Sequence, residues 1–101
     1  MYELECRYDT RSSFYGKAQV EIVRNTYEQV ENLYSYGTLV ASIIYDFKDM
    51  SRTYKYYGKY SQTTTRHQKE FFRQSDLTEK EIKELFKKGE LRYEYNGNAS
   101  K

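Results

Sequence analysis

Proline and tryptophan are absent from this 101-residue chain, cysteine and histidine occur once each, and glycine five times. The lone Cys6 has no intramolecular partner, which excludes the disulfide-stapled scaffold of small extracellular proteins. No apolar run approaches the ~20 residues that cross a bilayer, so no membrane partner is expected. Met1 to Cys6 has neither a basic n-region nor an apolar h-region, so no secretory leader is read there and a cytoplasmic location is expected. The five scattered glycines form no phosphate-cradling loop. Charge of one sign is lacking too: 17 Lys and Arg against 15 Asp and Glu leave +2, far from a strongly basic footprint. Near-balanced charge with many aromatics also argues against disorder, although charged residues make up 32% of the chain.

What the chain has is tyrosine, 13 residues against five phenylalanines, in a length that suits one core. Each buried tyrosine brings a hydroxyl that needs a partner or a route to water. Most of the rings are therefore expected half-buried across a sheet, with their oxygens at the surface.

Tyr2, Leu4, Cys6 and Tyr8 alternate with polar residues, the period-two mark of a strand. Further strands are expected over Lys17 to Arg24, Glu31 to Tyr36, Thr38 to Phe47 and Arg52 to Tyr60, with Gly37 as a bulge or tight bend. The apolar run Leu39 to Tyr45 belongs at the centre of the sheet. Ser61 caps a helix running to about Gln74 that presents Phe71 and Phe72 to the sheet. Thr78 and Glu81 make a capping box, Leu77 and Ile82 a hydrophobic staple, and Ile82, Leu85 and Phe86 an apolar stripe. Gly89 suits the left-handed stop, and Leu91 to Tyr95 reads as a short last strand. The fold class is α+β, an antiparallel sheet of about five strands followed by two helices packed on one face. Residues 1–95 are read as one domain and 96–101 as a disordered tail.

Arg52, Lys55, Lys59, Arg66, Lys69 and Arg73 face Glu70 alone within residues 52–73, a local balance of +5 in a chain of +2. Tyr54, Tyr56, Tyr57 and Tyr60 are interleaved with them. Cations attract phosphates and rings stack on bases, so the segment is a candidate recognition face. Tyrosine serves protein interfaces equally well, and the plain alternative is a solvated strand and helix face over a tyrosine-covered core. His67 and Glu70 make His-x-x-Glu at i, i+3, which alone is no metal site, so no metal or other cofactor is expected. Cys6 with His67, and Asp46 with Asp49, lack any local catalytic signature, and no enzyme activity is expected.

Leu33 to Ala41, read as LYSYxTxVA, and Tyr60 to Phe71, read as YSxTTxRHxxEF, resemble a family of short uncharacterised proteins of Firmicute phages and mobile elements. The likeness spans about Leu33 to Gln74, with a weaker echo over Arg7 to Ala18, and Tyr45 to Thr53 stands as a long insertion between the motifs. It implies a setting and no activity. The second motif also has a physical reading. Ser61, Thr63 and Thr64 crowd a helix N-terminus whose free amides favour anions, followed by Arg66 and His67. The candidate binding set is therefore Arg52, Lys55, Tyr57, Lys59, Tyr60, Ser61, Thr63, Thr64, Arg66, His67, Lys69 and Arg73. The leading expectation is a non-enzymatic accessory protein that binds a host protein or protein–nucleic-acid complex, most concretely an inhibitor of a nucleic-acid-handling defence complex such as an anti-CRISPR protein. The alternative is a small DNA- or RNA-binding regulator, and a third option is a subunit that dimerises through an exposed strand edge.

Overall fold

The computed structural model of the protein describes residues 1–94, so the expected tail at 96–101 lies outside the described residues. Six strands run β1 (Tyr2–Glu3), β2 (Ala18–Arg24), β3 (Glu28–Ser35), β4 (Thr38–Asp46), β5 (Ser51–Tyr56) and β6 (Glu90–Glu94). They form one antiparallel sheet in sequence order. Helices α1 (Gln62–Gln74) and α2 (Glu79–Lys88) are inserted between β5 and β6, which nonetheless pair. The sixth strand, formed after the helices, takes the sheet beyond the expected five. No helix among the described residues is long and apolar enough to cross a membrane.

Register sorts the side chains. Val20, Leu33 and Ala41 line one rung, Ile43, Tyr54 and Leu91 the next, and both face the helices. Against them pack Phe71 and Phe72 of α1 with Ile82 and Leu85 of α2. Leu4 and Phe14 join this core from outside the regular strands. On the opposite face the rung Glu21, Asn32, Ser42, Lys55 and Glu90 is polar throughout. Its members satisfy one another. Asn32 Nδ2 and Tyr34 Oη donate to Glu21 Oε1 at 3.2 and 3.1 Å, Ser42 Oγ donates to Asn32 Oδ1 at 2.6 Å, and Tyr57 Oη donates to Ser42 Oγ at 3.2 Å.

The β3–β4 hairpin turns on Tyr36 and Gly37 with φ of 52° and 82°, so Gly37 sits in a tight bend. Positive φ at both central residues matches the right-handed twist of the strands. The bulge falls at Val40 instead, where the register shifts between Leu33 and Tyr34. Val40 and Ala41 are consequently buried in succession, and the freed Val40 carbonyl accepts from Tyr57 N–H and Gln68 Nε2. That contact, with Gly58 at φ 105°, ends β5 at Tyr56 rather than at Tyr60.

The tyrosines depart from expectation. Tyr54 is fully buried and its hydroxyl donates to the Ser75 carbonyl at 2.8 Å, while Tyr8, Tyr15, Tyr27, Tyr36 and Tyr60 are more than half exposed. The core is instead supplied largely by aliphatic residues and phenylalanines.

Helix ends follow the local rules. Ser61 Oγ accepts from Thr64 N–H. Thr78 and Glu81 close a reciprocal capping box, and Gly89 stops α2 at φ 84°. Removing the Thr78 hydroxyl strands a helix-end amide. Thr78→Ala is expected to cost about 1 kcal/mol, read as a lowered urea midpoint with unchanged slope.

Candidate functional site

Glu70 is 2% exposed, although an unpaired carboxylate in that position would be prohibitively costly. It is satisfied by the chain itself. Its oxygens accept from the backbone N–H of Arg7 at 3.0 Å, of Tyr8 at 2.9 and 3.2 Å and of Asp9 at 2.8 Å, and also from Gln74 Nε2. Three successive amides aimed at one point make an anion nest, here filled from α1. The expected strand from Tyr2 to Tyr8 is thus reduced to Tyr2–Glu3: Leu4 N–H still reaches the Ala18 carbonyl of β2, but the amides of Arg7, Tyr8 and Asp9 bond to Glu70. Asp9 then meets α1 a second time, with Arg66 Nη1 donating to its Oδ1 at 2.9 Å. The Arg73 guanidinium lies 4.7 Å from the Tyr8 ring centroid, a cation–π contact.

Beneath this segment His67 is 1% exposed. Its Nδ1 shares a 2.8 Å hydrogen bond with Ser35 Oγ, which lies 2.8 Å from Thr64 Oγ1. Its ring packs edge-on to Phe14 at 4.5 Å and near Tyr36 at 5.8 Å. Burial holds its pKa below the ordinary imidazole value, with Asp9 acting against that shift and Arg11 adding to it.

The outer sides of α1 and α2 and residues 8–10 enclose a groove of ≈ 810 Å³. Lys69 rims it from α1, and Lys83 and Lys87 rim it from α2. Ile82 and Phe86 lie between the rims, with Phe86 stacked on Tyr56 at 4.2 Å and 17°. The two arginines are engaged, Arg66 by Asp9 and Arg73 by Glu79 at 3.1 Å. The three lysines are exposed and make no salt bridge among the described residues. The groove therefore offers free positive charge beside the half-buried ring of Phe86, with Ile82 buried beneath.

A family model described as a family of unknown function, DUF8033, matches residues 2–88, from β1 to the end of α2. The chain belongs to that family. No curated protein matches the chain, and no solved structure does. The DUF8033 match thus covers the nest and the groove and stops before β6.

In this DUF8033 chain the twelve candidate binding residues do not share one surface. Arg66, Lys69 and Arg73 meet at the groove. Arg52 lies on the helix-side face with its guanidinium 4.9 Å from the Tyr45 ring centroid, whereas Lys55 lies on the opposite face, 3.9 Å from Glu90. Tyr57, Lys59 and Tyr60 are exposed in the loop after β5. Ser61 is occupied as the cap, Thr63 is half-buried, and Thr64 and His67 are interior. The His67-x-x-Glu70 pair is spent on Ser35 and on the nest, and no cluster among the described residues could hold a metal ion.

Of the groove residues only Arg66, Lys69 and Arg73 belong to the candidate binding set, and Tyr8, Asp9, Lys83 and Lys87 are among those outside it. Lys83 and Lys87 are spaced i, i+4 beside the Ile82–Phe86 stripe, a signal a helical projection of α2 carries. Tyr8 and Asp9 carry no such signal, since Glu70 lies 62 and 61 positions further along the chain.

Glu70→Ala strands three amides at once. It is expected to cost about 3 kcal/mol, the range for breaking a buried hydrogen-bond network, measured by urea denaturation. His67 gives a pH dependence of known sign. The folded state resists its protonation more than the unfolded chain does, so stability is full above about pH 6.5 and is lost as the pH falls below it. Urea midpoints recorded between pH 7.5 and 5 at intervals of about half a unit are expected to fall in the wild type and to flatten in His67→Gln.

Proposed function

We propose that this protein is a binding module without catalysis of its own, which engages a host protein or protein–nucleic-acid complex through the lysine-rimmed groove. The observation that carries the reading is the convergence of Lys69, Lys83 and Lys87, free of salt bridges among the described residues, on a groove that includes Phe86. Complementary charge around an apolar centre gives a partner both steering and specificity. The polar rung on the other sheet face offers less, because its groups already bond to one another. Burial of His67 against Ser35 supports the non-catalytic side, since the one histidine is spent on the core. The phage and mobile-element resemblance adds the setting, an accessory protein acting in the host cytoplasm. An inhibitor of a nucleic-acid-handling defence complex, such as an anti-CRISPR protein, is its most concrete form.

One observation favours a nucleic-acid partner as the second reading. Tyr57 and Tyr60 are 43% and 53% exposed with Lys59 between them, an arrangement suited to base stacking.

Capture from host lysate by tagged wild type and by K69E/K83E/K87E, with and without nuclease, tests both. The protein-partner reading expects a partner retained after nuclease and lost with the triple variant. The nucleic-acid reading expects capture abolished by nuclease, and oligonucleotide affinity that falls steeply with salt and weakens in Lys59→Ala and Tyr60→Ala. Identical capture by wild type and triple variant contradicts the groove's role.

A further inference from the structure

We infer that the groove between α1 and α2 receives an acidic amphipathic peptide segment of a protein partner, with its carboxylates on the lysine rim and its apolar side chains against Phe86. The inference rests on the binding-module reading above and names the chemistry of the partner.

Three observations select this occupant. The first is which cations are left over. Bidentate recognition of phosphates and other planar anions favours guanidinium forks, whereas lysine engages phosphate or carboxylate as a point charge. Both groove arginines are already committed, Arg66 to Asp9 and Arg73 to Glu79 and the Tyr8 ring. What remains is three lysines, point charges that suit single carboxylates and offer no bidentate grip on a phosphodiester. The second is spacing. Lys83 and Lys87 are one turn apart on α2, so their ammonium groups stand on one side of the groove with Lys69 across from them on α1. A ligand helix carrying acids at i, i+4 presents the matching repeat. The third is the surface between the rims. Phe86 is half-buried, its ring stacked on Tyr56, and it is the accessible apolar group there, since Ile82 one turn away is buried in the core. A sugar–phosphate backbone has no apolar group to place there, and the one tyrosine lining the groove, Tyr8, already has Arg73 against its ring. The ligand does not come from residues 95–101, which contain no acidic residue.

The test uses the full chain and a fluorescent synthetic peptide of about 12 residues, a length typical of helix-in-groove ligands. The peptide carries Glu at i, i+4 and Leu along the adjoining stripe. Controls are the Glu→Gln peptide, the Leu→Ser peptide and a single-stranded oligonucleotide. Anisotropy is expected to show saturable binding of the acidic peptide, weakened roughly tenfold or more by K69E/K83E/K87E, whose sites are exposed and whose melting curve checks folding. Both control peptides are expected to bind more weakly than the acidic one. The inference is overturned if the peptide does not bind, if the triple variant binds it equally, or if the oligonucleotide binds at these lysines and the peptide does not. If the peptide fails while lysate capture still depends on the lysines, the binding-module reading survives without this ligand. If capture is also indifferent to them, both fall.

Discussion

A single buried carboxylate organises the recognition side of this protein. Glu70 makes no salt bridge among the described residues and is held by three consecutive backbone amides from residues 7–9 and by Gln74. Hydrogen bonds to a charged acceptor are among the stronger contacts available to a folded chain, and losing them would leave that charge buried. The consequence is topological. Residues 7–9 are drawn off the line of the sheet and laid along α1, which keeps the expected strand from running on to Tyr8 and places Tyr8 and Asp9 as one wall of the groove.

The sheet supplies the platform for that arrangement. Because α1 and α2 are inserted between two strands that pair with each other, their orientation is fixed at both ends, by Ser61 following β5 and by Gly89 leading into β6. Phe71, Phe72, Ile82 and Leu85 hold the helices to the sheet through one continuous core. Both helices turn their lysines outward, and the groove is the seam between them. Tyr15 and Tyr36 hold φ of 55° and 52°, each followed by a glycine with positive φ, so two exposed rings stand on tight turns beside the start of β2 and the end of β3. Left-handed backbone at a bulky residue costs about 1 kcal/mol, and here the surrounding turns offset it.

Much of the architecture is legible in the sequence because the signals are local. The capping box at Thr78 and Glu81, the staple of Leu77 and Ile82 and the stop at Gly89 each depend on a few neighbouring residues, and each is in place. Alternation located β2 within a residue, and the apolar run from Leu39 falls in β4 at the middle of the sheet. The errors have physical reasons. Alternation from Tyr2 to Tyr8 is overridden by an acceptor more than sixty residues away, which no period can reveal. Strand β5 stops early because Tyr57 N–H is taken by a carbonyl that the Val40 bulge exposes. The candidate site was legible in part for the same reason. Arg66, Lys69 and Arg73 share a helix and so share a face, whereas Arg52 and Lys55, three apart on a strand, point to opposite sides. Lys83 and Lys87 join the first group only through the packing of α2 beside α1.

Hydrogen exchange at the amides of Arg7, Tyr8 and Asp9 addresses the Glu70 nest most directly, since these groups lie outside any strand or helix. Slow exchange of all three in the wild type is expected, with selective loss of that protection in Glu70→Gln while the β4 amides stay protected. Fast exchange of the three amides in the wild type, or unchanged protection in Glu70→Gln, would contradict the role given to this carboxylate.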